Sequence, residues 1–165
     1  IYGSMVVGAQ DENHMNHVRL ELPDDLIFAT MVPDYPVATH DARRVLPDSY
    51  TRGNMVFNAS RAALLVASMM TGKYENFDMA MEDCVHQPYR AQLIPGMHEI
   101  FAHAKEFGAV ACYLSGAGST LMAMVTKDKA EAFKDKMSEY LGTLPHNWEL
   151  NLLKADMQGV LVETE

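Results

Sequence analysis

The segment YLSGAGSTLMAMV, Tyr113–Val125, sets Gly-Ala-Gly-Ser-Thr between two short apolar runs. Runs of strand length on either side of a glycine-rich turn read as an antiparallel hairpin, with strands over Val110–Leu114 and Thr120–Val125. Glycines at 116 and 118 admit positive φ and let backbone N–H groups approach an anion, and Ser119 and Thr120 add hydroxyl donors. The loop by itself fits either a phosphate neighbour or a merely flexible hairpin. It lacks the Gly-x-Gly-x-x-Gly spacing of a dinucleotide fingerprint and the Lys-Ser/Thr of an ATPase loop.

Around this hairpin the pattern alternates between strand and helix. Ser4–Gln10, His17–Leu22 and Leu26–Val32 read as one antiparallel group of strands, with Asp11–Asn16 as a connection. Thr39 is placed to cap a short helix ending before Pro47. A broad apolar stripe over Asn54–Thr71, closed by Gly72, predicts the most buried helix of the chain. Further helices are expected over Phe77–Cys84, broken or ended by Pro88, over Gly96–Phe107, and over Lys129–Leu141 with Asp128 as cap. Strands over Trp148–Ala155 and Gly159–Glu163 close the chain. Mixed helices and antiparallel hairpins predict an α+β fold, a two-layer sandwich of the ferredoxin-like kind.

The chain has 165 residues, 48% apolar and 21% charged, enough for one domain with a real core. A formal net charge of −9 disfavours nucleic acid and anionic membrane surfaces. The longest apolar run, Ala62–Met70, is too short to cross a bilayer, and no signal-type segment opens the chain. Cys84 and Cys112 have no zinc-type or CxxC spacing, and thirteen methionines suit a reducing, cytoplasmic setting. The start, IYGSMVVGAQ, has no initiator methionine and runs straight into an apolar strand, which reads as a piece of a longer protein. Such a raw strand edge invites pairing with a second copy, so a homodimer is one expectation.

Three segments carry candidate chemistry. In ATHDAR, Thr39 and Arg43 share a helix face at i and i+4, a hydroxyl and a guanidinium suited to an α-carboxylate. In DCVHQPYR, Arg90 offers a planar fork of donors that matches a carboxylate in bidentate fashion. Taken singly, an arginine in such a place is more often a solvated or dipole-satisfying side chain. The histidine pairs His14/His17 and His98/His103 lack the i, i+4 spacing of a helical ligand set, and no metal site is expected.

Taken together and in order, these segments resemble the homoserine kinases of the GHMP small-molecule kinase superfamily. LSGAGSTLMAM is similar to that superfamily's SGAGPTLLA motif, HQPYRAQLIPG to HEPYRAPLIPG, and ATHDARRVLP to an ST-x-x-AR-x-x-LP stretch. The resemblance implies that residues 1–165 are a C-terminal domain of such a kinase, whose N-terminal ATP-binding domain lies outside this chain. It implies phosphoryl transfer from ATP, with Mg²⁺, to the hydroxyl of L-homoserine in threonine biosynthesis. Thr39, Arg43 and Arg90 would then bind the amino-acid acceptor, while Gly116, Gly118, Ser119 and Thr120 form a loop beside the phosphate site. No catalytic residue is expected in this chain, and the chain alone is expected to be inactive. Three positions depart from the family pattern: Cys84 replaces a common arginine, Gln87 a glutamate, and Ser119 the usual proline, which should loosen the turn. Two other readings stay open, a GHMP kinase with a different acceptor and a non-catalytic amino-acid-binding regulatory domain.

Overall fold

A computed structural model describes residues 2–162. β1 (Met5–Gln10) and β2 (Met15–Leu20) pair antiparallel, Met5 opposite Leu20, as an isolated two-stranded sheet. The Asp11 carboxylate accepts the N–H groups of Asn13 and His14 at 2.9 and 2.7 Å, which tightens the turn and starts β2 two residues earlier than the sequence suggests. β3 (Leu26–Pro33) does not join this pair, contrary to the expected single group. One face, Ile27, Ala29 and Met31, is buried and the other, with Phe28 and Val32, is partly covered, as suits a central strand of a second sheet, whereas β1 and β2 are exposed along almost their whole length.

That second sheet has the order β4–β5–β3–β6, from β4 (Ala111–Leu114), β5 (Leu121–Thr126) and β6 (Trp148–Leu153), with every neighbour antiparallel. Helices connect β3 to β4 and β5 to β6, and each of these parallel pairs has another strand inserted between its members. This is the β-α-β-β-α-β arrangement of a ferredoxin-like fold, as expected. One face, with Ala29, Met31, Cys112, Leu114, Leu121, Ala123 and Val125, packs against α5 (Met97–Glu106) and α6 (Ala130–Leu141). The helices answer at helical spacing with Met97, Ile100 and Ala104 and with Ala130, Phe133, Met137 and Leu141, all buried. Phe133 and Ile100 are fully enclosed, each side chain contributing about 1.5–3 kcal/mol by burial.

The opposite face holds a smaller cluster, in which Leu26, Ala111 and Met124 meet Met69 of α2 (Arg52–Thr71) and Phe77 of α3 (Phe77–Ala80). α2 opens on a capping box between Thr51 and Asn54 and ends at Gly72, which adopts φ 66°. It is not the most buried helix. Only Ser68 and Met69 are buried, and Met55, Val56 and Met70 are more than half exposed, because only the last turns reach the sheet. Its middle borders a cavity instead.

Other local expectations shift for similar reasons. Thr39 is the first residue of α1 (Thr39–Arg44) and Ala38 is the cap, so the Thr39 hydroxyl is not a capping group. The helix expected over Phe77–Cys84 is a single turn, because the chain after Met81 bonds to side chains of α2. Pro88 does not break a helix; it sits in the first turn of α4 (Gln87–Arg90), where no N–H is required. The cap position of α6 falls on Lys129, not Asp128, and makes no side-chain bond. No strand forms over Gly159–Val162, and Glu163 lies outside the described residues. There the Asp156 carboxylate bends the chain through the N–H groups of Gln158 and Gly159, and Ser4 N–H bonds the Asp156 carbonyl at 2.5 Å. No helix among the described residues is long and apolar enough to cross a membrane.

Candidate functional site

A cavity of about 600 Å³ opens between α1, α2, the chain over residues 80–90 and the glycine loop. Thr39, Arg43, Arg90 and Gly116, from three separate segments, all line it. Asn58, Arg61 and Leu65 line it from α2, at the i, i+3, i+7 spacing of one helix face.

Arg90 joins two parts of this cavity. Its Nε donates to the Ala42 carbonyl at 3.2 Å, and its Nη1 donates to the Gly116 carbonyl at 2.8 Å. The helix that carries Thr39 and Arg43 is thereby tied to the glycine loop. A guanidinium has five N–H donors, so three remain for a ligand. Arg43 has no carboxylate within ion-pair range among the described residues, since neighbouring Asp41 faces Arg44 at 3.7 Å and His40 at 3.4 Å.

The carboxylates of the cavity are already engaged. Glu82 accepts from Arg61 Nε and Nη2 at 2.9 and 2.6 Å, and the same guanidinium lies over the Phe57 ring. Asp83 accepts from Asn58 Nδ2 at 2.6 Å and from the N–H groups of Val85, His86 and Gln87 at 2.9, 2.8 and 2.5 Å. Burial pushes the Asp83 carboxyl up, but the bonds from Asn58 and these backbone groups outweigh it and hold the group below the usual carboxylate range. Gln87 donates from Nε2 to the Met81 carbonyl at 3.0 Å and accepts the Leu114 N–H at 2.9 Å on the free edge of β4. Burial pushes the Tyr113 phenol up to about 12, so it is neutral at physiological pH. The net result is three guanidinium groups, Arg43, Arg61 and Arg90, against two carboxylates that already hold partners, a local attraction for an anion on an otherwise acidic chain.

The glycine loop divides between two surfaces. Gly116 (φ 55°) and Ala117 line the cavity, whereas Gly118, Ser119 and Thr120 line a separate hollow of about 370 Å³ with Val32–Val37. Gly118 (φ 93°) leaves little space for a side chain: a Cβ would stand 2.9 Å from Ile94 Cδ1 and 3.3 Å from Leu114 Cδ1, so both side-chain ends would have to shift. The Ser119 hydroxyl donates to the Tyr35 carbonyl at 2.7 Å, which pins the loop to the β3–α1 connection where a loosened turn was expected. Sequence reasoning missed Asn58, Arg61, Asp83 and Gln87. The spacing of Asn58, Arg61 and Leu65 and the Asp placed before a one-turn helix were signals available for them.

The fit of these residues to Mg²⁺ is poor. The ion needs several oxygen ligands, and both carboxylates here are held by other partners. No group of three His, Cys, Asp or Glu side chains converges among the described residues.

The family profile for the C-terminal part of GHMP kinases matches residues 61–143, half of the chain. The chain belongs to the GHMP kinase family. Among curated proteins it is 44% identical over 159 residues to a homoserine kinase of Clostridium novyi, covering 96% of this chain and 53% of that protein. A homoserine kinase of Clostridium kluyveri is 38% identical over 160 residues. The chain thus spans about half the length of the curated relatives it matches. The crystal structure of a homoserine kinase from Cytophaga hutchinsonii superposes with a TM-score of 0.88 at 25% identity, over 96% of this chain and 50% of that one. The mevalonate kinase of L. major, at 13% identity and a TM-score of 0.67 over 95% of this chain and 50% of that one, shares the fold. This GHMP kinase segment therefore carries its cavity on a fold that it shares with a mevalonate kinase.

Proposed function

We propose that this chain is the acceptor-binding half of a homoserine kinase, an enzyme that phosphorylates the side-chain hydroxyl of L-homoserine with ATP in threonine biosynthesis in the cytoplasm. The observation that carries the reading is the convergence of Thr39, Arg43 and Arg90 on one cavity, in a chain whose curated relatives are homoserine kinases. Arg43 meets the α-carboxylate, with the remaining Arg90 donors beside it and the Thr39 hydroxyl as a further hydrogen-bonding group. Gly116 supports this wall through its carbonyl bond to Arg90. These groups orient the acceptor, which is where phosphoryl-transfer enzymes gain much of their rate. ATP and Mg²⁺ are held by an N-terminal domain outside this chain, and the chain alone is inactive.

The test is a coupled assay on the full-length protein that contains this segment, with L-homoserine and mevalonate as competing acceptors. Preference for L-homoserine is expected. Arg43→Ala should raise the L-homoserine KM about 10- to 100-fold, the cost of one charge-assisted contact, and leave the ATP KM unchanged. Equal kcat/KM on mevalonate, or an unaltered L-homoserine KM in Arg43→Ala, would overturn the reading.

A further inference from the structure

We propose that Asp83, oriented by Asn58, is the positioning residue that delivers Arg90 to the junction of α1 and the glycine loop. This rests on the cavity being the acceptor site.

α4 is one turn of four residues, too short to hold itself together, and the leading N–H groups of such a turn have no intrahelical partner. The Asp83 carboxylate accepts the first of these, the Gln87 N–H, and also the N–H groups of Val85 and His86 in the segment that leads into the turn. Asn58 fixes the carboxylate through Nδ2, and its Oδ1 accepts the Cys84 N–H at 3.0 Å, so one side chain of α2 sets both the carboxylate and the backbone that follows it. The turn thus organised carries the two side chains that hold the glycine hairpin: Gln87, on the Leu114 N–H, and Arg90, on the Ala42 and Gly116 carbonyls. Asp83 borders the cavity, but its acceptor positions are occupied, so its effect on a ligand passes through Arg90. Its ionised state, held by the same hydrogen bonds, keeps the full acceptor capacity at neutral pH.

The experiment uses the full-length protein with Asp83→Asn, Asn58→Ala, Arg90→Ala and the Asp83→Asn/Arg90→Ala double variant. Asp83→Asn should raise the L-homoserine KM roughly tenfold while kcat and the ATP KM stay within about twofold, and the double variant should be no worse than Arg90→Ala. Hydrogen exchange at the Arg90 Nε–H, followed by ¹⁵N NMR, should accelerate in Asp83→Asn and in Asn58→Ala. Additive losses in the double variant, or unchanged exchange at Arg90, would overturn the proposal. The exchange measurement needs no turnover, so a wild-type protein inactive on L-homoserine removes the acceptor assignment while Arg90 still decides the positioning role. If Asp83→Asn does not fold, Asn58→Ala, which leaves the three backbone bonds to Asp83, carries the same comparison.

Discussion

Arg90 and Gly116 lie 26 residues apart in sequence and are joined by a 2.8 Å hydrogen bond from the guanidinium to the loop carbonyl. The same guanidinium holds the Ala42 carbonyl of α1 at 3.2 Å, so one side chain sets the spacing between the Thr39/Arg43 helix and the glycine loop. The residue that the sequence offers as a candidate carboxylate ligand is, in the structure, the bracket that joins two walls of the cavity.

Arg90→Lys tests the bracket. An ammonium keeps the charge but lacks the planar fork, and it cannot span both carbonyls. Loss of about 1–3 kcal/mol in urea unfolding is expected, together with a raised L-homoserine KM in the full-length enzyme. An unchanged unfolding midpoint would show the bracket to be idle.

The two loop glycines should respond differently to alanine. At Gly116 a Cβ meets nothing within 4 Å, so only the positive φ opposes it, at about 1 kcal/mol. At Gly118 the φ of 93° combines with the 2.9 Å approach to Ile94 Cδ1, and about 2–4 kcal/mol is expected. Thermal unfolding of the two variants ranks them, and Ile94→Val should recover part of the Gly118→Ala loss. Equal losses at the two positions would contradict the packing described for the loop.

Acid stability should report on Asp83. Its folded-state carboxyl is held below the ordinary value of about 3.9, so its contribution is present above that value and is lost as pH falls through the lower, folded one. Asp83→Asn should therefore be less stable than wild type near neutrality, with the difference shrinking below about pH 4. A stability difference that stays constant from pH 7 to pH 2 would contradict this.

At the alkaline end the sign reverses. Burial pushes both the Tyr113 phenol and the Cys112 thiol up to about 12, so their neutral forms favour the folded state. That contribution is complete below the unfolded values, about 10 for tyrosine and 8.5 for cysteine, and is lost as pH rises toward 12. Tyr113→Phe should flatten the alkaline limb of the stability curve, read by denaturant unfolding between pH 8 and pH 11. Identical curves for variant and wild type would place the phenol in water.

Local physics made much of this protein legible. Short apolar runs of strand length marked β3, β4 and β5, helical spacing marked α5 and α6, and the glycine loop marked a turn between strands. The motifs around Thr39, Arg43 and Arg90 identified residues that the fold brings to one cavity. Where neighbours in space decide, local pattern was not enough. The apolar stripe of α2 suggested deep burial, yet a stripe says only that a face can be buried and not that another element reaches it. Likewise, the strand character of β1 and β2 did not reveal that they stand apart from β3.

By itself, then, the sequence determined most of the strands and helices, β3 to β6, α2, α5 and α6 among them, and which side chains carry charge suited to an anion, because propensity, periodicity and side-chain chemistry are local. The tertiary structure alone decided that Arg90 uses two donors on the Ala42 and Gly116 carbonyls, that Ser119 faces Tyr35 away from the cavity, and that Asp83 serves the turn beneath Arg90. Hydrogen bonds between residues far apart in the chain exist only once the sheet has brought those segments together, and no local pattern records them.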